Sequence, residues 1–121
     1  MTATSIGPPS TDDLISIGVE VLGDCVVLTA VGEIDSSSAP EFKAALDDAL
    51  ERQPAELSID LCGVTFLDSA GLCVLAVAHR RTVEAGVRLR VRAAGRAVVR
   101  PLQITGLFDL LRVEQERTGP A

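Results

Sequence analysis

The chain has 121 residues, a formal net charge of −6, 47% hydrophobic residues and only 2% aromatics, with no Trp or Tyr. That length suits one domain with one core and is too short for two. The acidic balance and the lack of aromatic stacking platforms argue against a nucleic-acid partner.

Residues 1–13, rich in Ser, Thr, Gly and Pro, read as a flexible tail lacking the basic and apolar regions of a signal peptide. Residues 14–115 read as the folded domain and 116–121 as a second tail. From Leu14 to Val21, apolar Ile15, Ile17, Val19 and Val21 alternate with smaller or polar residues, as in a strand. Gly23-Asp24 then marks a turn into a second strand, Cys25 to Val31, so the pair is expected to form a hairpin. Gly32-Glu33-Ile34-Asp35 closes that strand, and Ser36-Ser37-Ser38 offers helix caps.

Pro40 suits a first helical turn, and Phe42, Ala45, Leu46, Ala49 and Leu50 recur at helical spacing to about Glu51. Pro54 stops that helix. Leu57 to Leu61 reads as a short central strand, followed by a loop from Cys62 to Leu67. A second helix is expected from Asp68 or Ser69 to Glu84, with Ala85-Gly86 as its exit. Its residues Ala70 to Ala78 are all apolar or Gly, the mark of a helix that is deeply buried or offers a face to a partner.

Val87, Leu89 and Val91 alternate with Arg88, Arg90 and Arg92, which predicts a strand whose outer face no helix covers. Arg96 to Thr105 reads as a helix in which Pro101 predicts a kink or a late start. Gly106 ends it, and Leu111-Arg112-Val113 reads as a terminal strand. The order ββαβαβα(β) gives an α/β fold: a mixed sheet of four or five strands packed with three or four helices. Thirteen acids and two bases fall in residues 1–68, against four acids and nine bases after them; a compact fold interleaves these into a mixed solvated surface.

The most informative segment runs from Leu57 to Leu72, where a strand and loop lead into Asp68-Ser69 at the start of an apolar helix. This placement exposes the Ser69 hydroxyl among unpaired N–H groups at the positive end of a helix dipole, where a phosphate is well accommodated. Gly71, without a side chain, leaves room for a protein to approach the first turn. Phe66-Leu67-Asp68-Ser69, Gly32-Glu33-Ile34-Asp35, and Thr105-Gly106-Leu107-Phe108 with the following Leu110 to Val113 occur in an order that resembles STAS-domain anti-sigma factor antagonists.

The resemblance implies a binding switch rather than an enzyme. By that resemblance the unphosphorylated protein would bind an anti-sigma factor with a kinase fold and free a sigma factor, and that partner, which itself would hold ATP and Mg²⁺, would phosphorylate the serine matching Ser69. A serine phosphatase would reset the cycle. The surface it implies comprises Asp35, Ser36, Ser37, Ser38, Asp68, Ser69, Ala70, Gly71 and Leu72, on a cytoplasmic monomer with no cofactor of its own. Ala70 departs from the Ser or Thr that relatives often carry there, leaving Ser69 as the only hydroxyl of its block.

Two other readings compete. A STAS subunit of a lipid-transport or stress-signalling assembly has the same fold. A phosphorylation-independent antagonist under redox control through Cys73 or Cys62 requires a thiol of lowered pKa or two cysteines close together. The three cysteines, Cys25, Cys62 and Cys73, lie in apolar contexts and read first as buried free thiols. Catalysis is poorly supported: the single histidine, His79, stands ten residues, about 15 Å of helix, beyond Ser69. One His and scattered Cys give no metal-ligand spacing, and no apolar run approaches the ~18–20 residues of a membrane span.

Overall fold

The computed structural model describes residues 15–116; most of both expected tails, and Leu14, lie outside the described residues. Five strands form one sheet in the order β1-β2-β3-β4-β5, with β1 (Ile15–Leu22) antiparallel to β2 (Cys25–Ile34). The next strands, β3 (Glu56–Leu67), β4 (Arg88–Ala93) and β5 (Glu114–Gln115), each lie parallel to the one before. The helices are α1 (Ala39–Glu51), α2 (Ser69–Ala85), α3 (Arg96–Thr105) and α4 (Leu107–Leu110). This is the expected single α/β domain with a mixed sheet.

The β1–β2 hairpin pairs Leu22 with Cys25 across Gly23-Asp24, and Gly23 takes the positive φ, +60°, that two-residue turns demand at their first position. The inward residues of the strands, among them Leu28, Ile59 and Val91, form one apolar core with Phe42 and Leu46 of α1, Leu75 of α2 and Val98 and Leu102 of α3. The residues between them face water. The described helices therefore cover one side of the sheet only, as the Arg88, Arg90, Arg92 alternation predicts.

On the open side, Arg90 lies between Glu56 (3.8 Å) and Glu114 (3.1 Å), and Arg92 between Asp60 (3.9 Å) and Glu116 (3.2 Å). The acidic first half and the basic second half of the sequence are thus laced together. Exposed pairs of this kind contribute at most about 1 kcal/mol each.

Three local expectations need correction. Strand β3 continues through the expected loop to Leu67, because two irregularities in its pairing with β2 each insert an extra β3 residue. Its buried apolar positions accordingly run Leu57, Ile59, Leu61, Val64, Leu67, a pattern that loses strict alternation after Leu61. Helix α3 starts at Arg96 and passes through Pro101, so the proline does not delay its start. The residues Leu111 to Val113 are no strand: Arg112 takes φ +52°, Leu111 and Val113 are buried, and pairing resumes at Glu114. For α2, of the two alternatives the sequence leaves open, the free face is the one found. Gly71, Leu75, Ala78 and Thr82 face the core, whereas Ser69, Cys73, Ala76 and Arg80 lie in water.

Candidate functional site

The strand ends set the site. Ile34 and Leu67 are partners on the parallel strands β2 and β3, and the Asp68 N–H donates to the Ile34 carbonyl at 3.1 Å. The two chains therefore leave the sheet side by side, about 4.8 Å apart, one through Asp35 and the other through Asp68. Ligand sites of open α/β sheets collect at this carboxyl edge.

Asp68 is the N-cap of α2. Its backbone is extended, and its carboxylate accepts from the N–H groups of Ala70 (2.9 Å) and Gly71 (3.4 Å). These N–H groups, expected to stand unpaired around Ser69, are therefore occupied. Ser69 follows as the first helical residue, exposed, and among the described residues no side-chain hydrogen bond engages its hydroxyl. Ser69 is therefore free for chemistry while Asp68 holds the helix. Asp68→Ala is expected to cost about 1 kcal/mol of stability, with Asp68→Asn retaining most of it; urea unfolding of the two variants checks this.

Asp35 has a comparable structural duty. Its Oδ1 accepts from Ser37 N–H (2.9 Å), Ser37 Oγ (2.7 Å) and Ser38 N–H (3.2 Å), and the Ser37 hydroxyl above all holds its carboxyl below the usual carboxylate range. It presents a fixed negative charge beside Asp68 at neutral pH. Of the three serines expected to cap α1, Ser38 occupies the N-cap without a side-chain cap bond; its hydroxyl donates to the Glu33 carbonyl (2.8 Å) instead. The first turn of α1 leaves it little to cap: the Ala39 N–H donates to the Asp35 carbonyl (2.7 Å), Pro40 has no N–H, and the Glu41 N–H donates to the Ser38 carbonyl (3.1 Å).

Of the nine surface candidates, Ser36, Ser37 and Ser69 are exposed, and Asp35, Asp68, Ala70 and Leu72 are half-buried. Ser38 and Gly71 are buried and do not face a partner. A Cβ on Gly71 would lie 2.4 Å from Leu67 Cδ1 and 2.7 Å from Ile34 Cγ2, so this glycine lets α2 settle on the strand ends rather than opening the surface. Sequence reasoning missed Phe66 and Val31, which stand exposed on the open face at the same end of β2 and β3.

The thiols diverge from the buried expectation. Cys73 is exposed, one turn along α2 from Ser69, at an apolar groove of about 160 Å³ walled by Leu46, Leu50, Val74 and Val77. Cys25 and Cys62 are half-buried. Burial, with Asp60 adding to it, pushes the Cys62 thiol up to about 11, and burial beside Glu56 raises Cys25. Neither has the lowered pKa that redox control needs. In a timed reaction with a thiol reagent at pH 7, Cys73 is expected to label first and Cys62 at least tenfold more slowly, read by peptide mass. Equal rates would contradict the burial order.

Comparison with known proteins agrees with this geometry. The STAS domain family profile matches residues 16–118. The chain is 33% identical over 104 residues to the anti-sigma-F factor antagonist RsfB of Mycobacterium tuberculosis, covering 86% of this chain and 84% of that protein. It is 30% identical over 105 residues to the anti-sigma-B factor antagonist of Bacillus subtilis, covering 87% and 95%. A crystal structure of an anti-sigma factor antagonist from Mycobacterium paratuberculosis superposes with a TM-score of 0.80 at 33% identity, covering 88% and 90%.

Proposed function

This chain belongs to the STAS domain family, and from that premise we propose that it is an anti-sigma factor antagonist switched by phosphorylation of Ser69. The observation that carries the reading is the separation of labour at the start of α2: Asp68 holds the helix, and the neighbouring Ser69 hydroxyl is exposed and, among the described residues, unengaged. The unphosphorylated form binds the anti-sigma factor and thereby frees a sigma factor. The anti-sigma factor, having a kinase fold, brings ATP and Mg²⁺ and modifies Ser69; a serine phosphatase restores it. The chain itself acts by binding, as a cytoplasmic monomer, without catalysis or a cofactor.

The electrostatics favour release. Phosphorylation adds roughly −1.5 to −2 charges at pH 7, beside the carboxylates of Asp68 and Asp35. Because Asp68 already occupies the Ala70 and Gly71 N–H groups, the helix end has less left to offer a phosphate than a bare N-terminus. The added charge therefore meets repulsion at a surface that must lose water to bind. The fold stays intact, since Ser69 supports no core contact.

The test is intact-mass analysis after incubation with ATP, Mg²⁺ and the anti-sigma kinases of the same genome. A single phosphate mapped to Ser69, with loss of the complex, is expected. A stable complex that takes up no phosphate would overturn the switch and leave a phosphorylation-independent antagonist.

A further inference from the structure

Phe66 is one of only three phenylalanines, in a chain without Trp or Tyr. Phe42 is fully buried, yet Phe66 leaves 46% of its surface in water. Its backbone partner on β2 is Glu33, two residues beyond Val31, which is itself 50% exposed. Both stand on the side of the sheet that none of the described helices covers. Val31 leans over the bare backbone of Gly63, where a Cβ would come within 2.9 Å of Val31 Cγ2, and Thr65 Oγ1 donates to the Gly32 carbonyl at 3.3 Å. The two apolar side chains are thus held by strand pairing, not by a loop.

A single exposed apolar residue is ordinary. Position makes this pair different. Phe66 precedes Ser69 by three residues, which bounds their Cα separation to about 11 Å. A standard interface covers about 800 Å² per partner, equivalent to a disc of roughly 16 Å radius. A protein centred on Ser69 therefore reaches Phe66.

We infer that Phe66, backed by Val31, is an anchor that the anti-sigma factor grips, an assignment that rests on the antagonist reading above. Binding energy at interfaces concentrates in a few aromatic side chains, and a residue fixed on a strand loses little freedom when buried. Ser69 supplies the switch and Phe66 much of the affinity, within one continuous footprint.

Calorimetric titration of the anti-sigma factor into the full chain tests this with five variants. Phe66→Ala is expected to weaken binding at least ~30-fold, and Phe66→Leu to recover part of the loss. Val31→Lys places a charge in the same patch without entering the core and is expected to cost at least ~10-fold. Val83→Ala, at the far end of α2, serves as the control and stays within about twofold. Thermal unfolding of each variant separates lost binding from lost folding. If Ser69→Glu abolishes binding while Phe66→Ala and Val31→Lys bind like the parent, the anchor is wrong and the antagonist reading stands. If the parent binds no anti-sigma factor, both fall.

Discussion

Ser69→Glu is expected to weaken the anti-sigma complex by ~100-fold or more, because a like charge in a closing interface costs several kcal/mol. The residue is exposed and lies beside Asp68, whose own charge is already committed to the helix start. A second negative group there must give up its hydration without gaining an N–H donor. Ser69→Ala, by contrast, removes a hydroxyl that makes no described side-chain bond, so it should bind as the parent does and accept no phosphate. Ser69→Gln has nearly the bulk of Glu without its charge and should lose about tenfold less than Ser69→Glu. Raising the salt concentration should return part of the Glu loss and none of the Gln loss, since the Debye length is already about 8 Å at physiological ionic strength. Equal affinity of Ser69→Glu and the parent, measured by titration calorimetry, would remove Ser69 from the interface.

The helix ends and the hairpin are legible in the sequence because glycine at a turn or cap carries unambiguous geometry, whereas Pro101 sits inside α3 without marking its start. Gly86 closes α2 at φ +72° and Gly106 separates α3 from α4 at φ +84°, where each was expected. The open face of the sheet was likewise visible in the alternation of three arginines with Val87, Leu89 and Val91. What could not be read was decided by tertiary pairing. Cys62 to Leu67 loses the alternation of a strand because β3 takes an extra residue at two points against β2, and only the neighbouring strand shows that pairing continues. Within that expected loop, strand pairing buries Leu67 and leaves Phe66 in water, a division that neighbouring residues alone do not decide. The same limit applies to the capping of α1. Three consecutive serines suggest caps, but the backbone carbonyls of Asp35 and Ser38 take the Ala39 and Glu41 N–H groups, and Pro40 has none to offer.

Gly71 is where a sequence-based role and a structural one make opposite predictions. As a gap for a partner, it would tolerate a methyl group with little loss of stability and a large loss of binding. As a packing contact, it should do the reverse. A Cβ there meets Leu67 Cδ1 at 2.4 Å, Ile34 Cγ2 at 2.7 Å and Ile34 Cβ at 3.4 Å, and both neighbours are buried. Overpacking of a tight core costs about 1–3 kcal/mol, against a gain of about 1 kcal/mol when Ala replaces Gly inside a helix. Gly71→Ala is therefore expected to lose up to about 2 kcal/mol net, and Gly71→Val, which adds β-branched bulk, about 3 kcal/mol or more. In a domain of this size each kcal/mol lowers the midpoint of thermal unfolding by roughly 4–8 °C. Shortening the obstructing side chain in Leu67→Ala should make the Gly71→Ala change less costly, a coupling that a double-mutant cycle reads directly. The folded fraction of Gly71→Ala should still bind the anti-sigma factor within a few-fold of the parent. If instead Gly71→Ala melts at or above the parent temperature and binds poorly, the glycine serves the partner and the close contact of α2 with Ile34 and Leu67 does not constrain the fold.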